Sequence, residues 1–430
     1  MQQGWGRQVV AWSLVAMAGS VGAQPAARET EAVLYRPARL FLGAEDSVRT
    51  GWVLLTRGDR IAAVGPAASV PSPNGARVVD LPDHTLLPGL IEGHAHFFLH
   101  PYNETAWNDQ VLKEPLSLRT ARAVNHLAAT LRAGVTTARD LGTEGAGDAD
   151  AGLKRAVQEG IIPGPRLLIA GRALIATGSY APRRVDHAFV PPQGAAEADG
   201  VEGVTREVRR QIGEGADVIK VYADYRWGPA GEAQPTFSED ELRAMAQTAA
   251  SSGRPLIAHA ATAEGMLRAV RAGVRTIEHG DGGTAEVWAL MRERGVALCP
   301  TLAATESTSR YRGWQKGVNP VAFAVLRKQL MLREARAAGV AICFGGDVGV
   351  YPHGENALEL ELLVEYGMRP AEALFAATAG NARYLGLPDR GALEVGRLAD
   401  LVAVRGDPTR EIARMREVGL VVLGGRVVVR

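Results

Sequence analysis

Leu87-Pro88-Gly89-Leu90-Ile91-Glu92-Gly93-His94-Ala95-His96 is an apolar run that stops on two histidines. With Leu86 added, residues 86–91 have the short, apolar, Gly- and Pro-marked character of a buried strand. Side chains at i and i+2 of an extended segment point the same way, so both imidazoles behind that strand can reach one ion. A histidine pair of this kind carries little weight alone. Its surroundings decide the fold.

Seven more apolar runs follow at 134–139, 166–170, 217–221, 255–258, 275–278, 296–300 and 340–344. Helical periodicity separates them, most clearly over 118–132, 202–214, 239–251 and 321–338. Ser238-Glu239-Asp240-Glu241 reads as a capped helix start, and Gly253 and Gly339 as helix stops. Eight strands alternating with helices over some 300 residues predict an α/β fold, a (β/α)₈ TIM barrel. No GxGxxG turn follows the first strand, which argues against a doubly wound open sheet. Residues 176–200 form a long Pro- and Gly-punctuated stretch after the third strand, placed to overhang the active face.

The polar residues fall at telling places. His94 and His96 follow the first strand, Lys220 lies near the end of the fourth, and His259 ends the fifth. His279 ends the sixth, and Asp347 follows the eighth. In a barrel all strand C-termini open on one face, where such enzymes carry their chemistry. Polar groups set into apolar strands are costly unless paired or ligated, so these six residues form the candidate metal site.

Both ends of the chain have another texture. Short β-type runs broken by Gly and Pro occupy residues 31–84, and the type returns at 400–404 and 419–423. Gly424-Gly425 then turns the chain into Arg426-Val427-Val428-Val429, a predicted hairpin. One small β-domain built from both termini is the expectation.

Composition bounds the function. Charged residues make up 22% and apolar ones 47%, ordinary for a soluble enzyme. The formal net charge of +1 and the absence of a basic stripe argue against nucleic acid or an anionic membrane surface as partner. At the N-terminus Arg7, an apolar core over residues 9–18 and Val21-Gly22-Ala23 read as a signal peptide, residues 1–23, too short to span a bilayer. A membrane anchor or a frayed helix is the alternative. Cleavage after Ala23 implies a periplasmic or secreted protein without stable membrane insertion. Cys299 and Cys343 sit in apolar runs without CxxC spacing and are expected to be buried free thiols, although export permits a disulfide.

The run from Leu87 to His96 resembles the opening motif of the amidohydrolase superfamily. Ile257-Ala258-His259-Ala260, Thr276-Ile277-Glu278-His279-Gly280 and Gly345-Gly346-Asp347 resemble its later ligand motifs. Ala377-Thr378-Ala379-Gly380-Asn381-Ala382 and residues 391–401 resemble its C-terminal signature. The resemblance implies a barrel over residues 88–385 and a β-sandwich domain from 24–87 and 386–430. It also implies two divalent metal ions, with His94, His96 and Asp347 on one and His259 and His279 on the other. Lys220 would bridge both as a carboxylated lysine, because burial favours the neutral amine that reacts with CO₂. A salt-bridged structural lysine is the other reading. Zinc suits the imidazole and carboxylate mixture, which discriminates poorly against cobalt, manganese or nickel. The expected chemistry is attack by a metal-bridging hydroxide, with Asp347 taking the proton and passing it to the leaving amine.

Asn103-Glu104, Arg139-Asp140-Leu141-Gly142 and Ala176-Thr177-Gly178 further resemble the Xaa-Pro dipeptidase and carboxypeptidase-like branch. That branch implies a small-molecule substrate, a dipeptide or N-acyl amino acid with ochratoxin A as a further candidate, and a homo-oligomer. Cyclic-amide hydrolysis and an imidazolonepropionase-like reaction are the rivals; a heterocycle deaminase has no use for the bridging lysine. A non-enzymatic binding protein would typically have lost ligands.

Around this set stand candidate substrate contacts. Arg226 reads either as a bidentate clamp for a substrate carboxylate, assisted by Tyr222 and Tyr225, or as a surface arginine beside packed aromatics. His353 divides between pocket and loop structure. His100 is a candidate for a supporting or pocket role, and His187 for a substrate contact from the long loop. His84 and His126 read as solvated or structural.

Overall fold

The two chain ends share one sheet in the computed structural model, which describes residue 1 and residues 31–44, 48–182 and 192–429. Strand Ala32–Phe41 pairs parallel with Arg77–Pro88 and antiparallel with Trp52–Arg57, which continues to Arg60–Pro66. On its far edge Arg77–Pro88 pairs with Leu401–Arg405, followed by Val418–Leu423 and Arg426–Val429. The terminal hairpin turns through Gly424 and Gly425, whose φ values of 56° and 75° are those a two-residue primed turn requires. Strands from both termini thus share a single eight-stranded sheet, the three C-terminal ones together on one side of Arg77–Pro88 and the other N-terminal ones on its other side. The expected signal peptide lies outside the described residues. No helix among the described residues is long and apolar enough to cross a membrane.

Parallel strands and outer helices occupy the middle in a TIM-barrel-like α/β arrangement. Leu90–Ala95, Val135–Asp140 and Arg166–Ile169 pair in that order. Ile219–Tyr222, Leu256–Ala260, Thr276–His279 and Ala297–Cys299 form a second parallel run. Backbone hydrogen bonds from Asp217 and Val218 to Ile169 O link the two runs, and a bridge joins Leu298 to Ile342. Helices Glu239–Ala250 and Ala263–Ala272 bury Leu242, Met245 and Ala249, and Met266, Ala269 and Val270, at helical spacing. Each large side chain so buried contributes roughly 1.5–3 kcal/mol. The capping box at Ser238 and Glu241 is present, and Gly253 and Gly339 take left-handed φ values of 74° and 78°.

Three expectations need correction. Residues 86–91 are not one strand. Leu86-Leu87-Pro88 belongs to the terminal sheet, and the barrel strand begins at Leu90. Gly89 marks the break: its N–H donates to Asp400 O at 2.8 Å, and a Cβ there would meet Thr136 Oγ1 at 2.1 Å. Residues 340–344 are not a full strand: they bridge Leu298 at Ile342, and Phe344 O accepts from Gly93 N at 2.9 Å, while Asn381 takes up Phe344 N through Oδ1 at 3.2 Å and shares Phe344 O through Nδ2 at 2.6 Å. Helix Leu302–Tyr311, hidden by weak amphipathicity, was not anticipated.

The third correction concerns the cysteines. Cys299 and Cys343 are not free thiols but a disulfide, with Cα atoms 4.6 Å apart. The bridge at Leu298 and Ile342 sets the two segments side by side, so the residues that follow face each other. Closing a loop of 44 residues stabilises the fold by about 4 kcal/mol on the chain-entropy model. A Cys299→Ala/Cys343→Ala double variant is therefore expected to unfold at clearly lower guanidinium concentration than the oxidised protein. Coincident unfolding midpoints would show that the cross-link adds no stability.

Candidate metal centre

Strand ends bring five of the six predicted ligands to one cavity of about 280 Å³, lined by His94, His96, His259, His279 and Asp347. Ligand atoms of His94, His279 and Asp347 all lie within 4.8 Å of one another, a group able to hold a metal ion. His96 Nε2 lies 3.3 Å from His94 Nε2 and 3.2 Å from Asp347 Oδ1. The His259 ring stands 4.4 Å from that of His279 and stacks on Tyr222 at 4.6 Å.

Outer contacts fix how these rings face. His94 Nδ1 donates to Glu278 Oε2 at 2.8 Å, and His96 Nδ1 to Gly142 O at 2.8 Å. His279 Nδ1 lies 2.8 Å from Thr301 Oγ1. With Nδ1 carrying the proton, each Nε2 presents a lone pair, the tautomer that metal-binding histidines adopt. Burial pushes His94 down to about 4, and the Lys220 charge pushes the same way. Burial acts downward on His96 too, yet the Asp347 carboxylate prevails and lifts it to about 9. The Asp347 carboxylate, whose Oδ1 is 3.5 Å from His94 Nε2 and 3.2 Å from His96 Nε2, puts a negative charge between two imidazoles at the meeting point of these groups. The donor set fits a divalent ion.

Lys220 is on strand Ile219–Tyr222 and is 1% exposed. Burial pushes its amine down to about 8 against the pull of Glu278 and Asp347. Its Nζ is 5.7 Å from the centre of the Tyr222 ring, and among the described residues it has no hydrogen-bond or ion-pair partner.

The backbone is strained at the same place. Among the described residues, the only non-glycine residues with positive φ are Glu144, His279, Thr301 and Asp347, and all four line this cavity. Such conformations cost roughly 1–3 kcal/mol each and persist where surrounding structure imposes them.

The predicted substrate contacts divide. Tyr222, Tyr225 and Arg226 line the cavity. The Tyr222 hydroxyl, however, points to Glu144 Oε1 at 3.4 Å. His100 does not line the cavity. Its Nε2 bonds Glu114 at 2.8 Å and its Nδ1 Glu104 at 3.3 Å. His353 is part of the loop structure, stacked on His126 at 4.2 Å and Phe97 at 5.4 Å with Nε2 on Leu99 O. His126 Nδ1 holds Phe97 O at 2.8 Å, so it is structural as expected. His187 lies outside the described residues.

Several supporting residues escaped the sequence reading. Glu278, adjacent to His279, is fully buried between His94 and Arg139, whose Nη2 is 3.0 Å from Oε1. Burial alone would raise it, but Arg139 and His94 hold it down to about 2. Glu92, inside the opening motif, accepts from His94 N and Gly346 N at 3.0 Å each and from Asn356 Nδ2 at 2.8 Å. Lys328 Nζ donates to His279 O, Pro300 O and Asp281 Oδ2. A carboxylate in an apolar strand was the available signal for Glu278 and Glu92; Lys328 on an exposed-looking helix gave none. Glu278→Gln keeps the shape but removes the charge facing Arg139. It is expected to weaken metal retention by about 10–100-fold, read by chelator competition. Unchanged retention would remove Glu278 from the support of His94.

Comparison with known proteins gives the family. The model of the amidohydrolase family matches residues 85–428. Ochratoxinase of Aspergillus niger is 32% identical over 359 residues, spanning 77% of this chain and 72% of that protein. Imidazolonepropionase of Deinococcus radiodurans is 27% identical over 389 residues, spanning 84% and 87%. A solved structure of a Xaa-Pro dipeptidase with methionine bound in its active site is 30% identical with a TM-score of 0.81, covering 93% of this chain and 100% of the other. The chain belongs to the amidohydrolase family, as a hydrolase acting on carbon–nitrogen bonds.

Proposed function

We propose that the protein hydrolyses the amide joining an acyl group or amino-acid residue to a C-terminal amino acid, using two divalent ions. Ochratoxin A is one candidate, supported by the likeness to a protein named ochratoxinase. The observation that carries the reading is Lys220, a buried amine without a hydrogen-bond or ion-pair partner beside the histidine cluster. A lone charge in that position is costly, whereas a carboxylated lysine supplies oxygens for two ions. His94, His96 and Asp347 would hold one ion, His259 and His279 the other, and Lys220 both. Zinc fits the donors best. When bound, such ions polarise the scissile carbonyl and lower the pKa of water.

The remaining steps belong to the protein. Asp347 Oδ1 lies within 3.5 Å of His94 Nε2 and 3.2 Å of His96 Nε2, placed to take a proton from attacking water and return it to the leaving nitrogen. Arg226, on the cavity wall beside Tyr225, takes the substrate carboxylate. The imidazolonepropionase relative supports a second reading, hydrolysis of a cyclic amide.

The reading extends to the frame. The parallel strands and outer helices of the middle close as a (β/α)₈ barrel, and the sheet shared by the two chain ends is part of a β-sandwich. A buried disulfide suits an exported protein in an oxidising compartment. Assembly is as a symmetric homo-oligomer.

The test is elemental analysis of the purified protein combined with a screen of dipeptides, N-acyl amino acids and cyclic amides. Two metals per chain and release of a C-terminal amino acid are expected. Turnover confined to cyclic amides would favour the second reading, and ammonia release without amide cleavage would overturn both.

A further inference from the structure

We propose that Glu144 is a specificity-determining residue that receives the protonated α-amine of a dipeptide substrate. The inference rests on the amide-cleaving reading and narrows it to substrates with a free N-terminus. Glu144 follows strand Val135–Asp140 and lines the cavity, yet is only 3% exposed. It holds a left-handed φ of 50° without being glycine. That conformation turns its carboxylate toward the ligand cluster, and bonds from Thr143 to Gly171 O and Gly147 O fix the turn.

The two carboxylate oxygens are used unequally. Oε2 accepts two short bonds, from Trp107 Nε1 at 2.8 Å and Tyr180 Oη at 2.7 Å. Oε1 has only the Tyr222 hydroxyl at 3.4 Å and the His96 ring at 3.9 Å, where His96 Nδ1 already donates to Gly142 O. A carboxylate has about four lone-pair sites, so Oε1 keeps capacity for a donor entering from the cavity. Three tyrosine rings stand around it, Tyr180 stacked on Tyr222 at 4.6 Å and edge-on to Tyr225 at 4.8 Å. Aromatic faces beside a buried carboxylate are a setting for a cation.

Distance selects which cation. Oε1 is one imidazole ring from the metal-facing Nε2 of His96, so a group bound there lies close to the reacting carbonyl. The α-amine of a dipeptide is two bonds from that carbonyl, and a lysine or arginine side-chain nitrogen is several bonds farther. The Glu144 charge also opposes a substrate carboxylate on this wall, leaving that role to Arg226 at the rim.

The test uses the metal-loaded protein and a phosphinic isostere of a dipeptide, with a free amine and with the amine acetylated. A third ligand carries a lysine side chain, free or ε-acetylated, on an N-acetylated backbone. Calorimetry on the wild type is expected to show at least 10-fold tighter binding of the free α-amine, and Glu144→Gln to bring that ratio near unity. The amide side chain still accepts from Trp107 and Tyr180, so the wall is kept while the charge is lost. Equal wild-type affinity for both forms overturns the proposal. So does a preference that survives Glu144→Gln, or one that follows the lysine side chain instead. Parallel turnover assays keep the two readings apart. An α-amine preference without amide hydrolysis would sink the reaction and leave Glu144 standing.

Discussion

Lys220→Ala is expected to lower turnover by about 10³-fold or more and to reduce bound metal from two ions per chain to one or none. A loss of that size corresponds to at least about 4 kcal/mol of transition-state stabilisation at 1.36 kcal/mol per decade. The fold should survive, because the lysine makes no hydrogen bond or ion pair among the described residues and its removal orphans no partner. Its neighbours in the sheet, Ile219 and Val221, carry the packing and are fully buried. Elemental analysis and unfolding curves run together separate the outcomes. Normal stability with lost metal identifies a bridging ligand. Full activity would sink the two-ion site, and lost stability with metal retained would make Lys220 a structural lysine. A small carboxylate such as acetate, added to the alanine variant, is expected to restore part of the turnover by occupying the space left behind.

The same residue shows what sequence can and cannot carry. A lysine between Ile219 and Val221 on a strand is visible as an anomaly in the chain, and so are histidines that close apolar runs. Their convergence follows from parallel strands ending on one face, so five of the six candidates that meet in the cavity were legible as a set in the chain. Glu144 was not legible in that way. Its role depends on a left-handed backbone and on Trp107 and Tyr180 arriving from other elements, and no local pattern encodes such contacts.

Strand 86–91 failed for a related reason. Periodicity sees a continuous apolar run, but the sheet changes at Gly89, where Thr136 leaves no room for a side chain. The cysteines failed because pairing depends on register between Leu298 and Ile342, residues distant in the chain. His100, just beyond the histidine pair, and His353, in the loop after the eighth apolar run, read as pocket candidates, yet each is consumed by its own partners, Glu104 and Glu114 for the first, His126 and Leu99 for the second.

Asp347→Asn separates metal binding from proton transfer. Asp347 has φ 62° and donates its backbone N–H to His94 O at 2.9 Å. Asparagine tolerates this conformation better than most residues, so the loop that positions His94 should persist. What is lost is the charge facing His94 and His96 and the capacity to accept a proton. We expect kcat for an amide substrate to fall by about 10³-fold, KM to change little, and metal retention to weaken less than in Lys220→Ala. The decisive comparison is between leaving groups. An amide nitrogen must be protonated to depart, whereas an activated ester oxygen leaves without help. If Asp347 returns the proton, the variant should lose far more activity on an amide than on the matching activated ester. Equal losses on both would confine Asp347 to metal binding, and the proton would have to travel by another group.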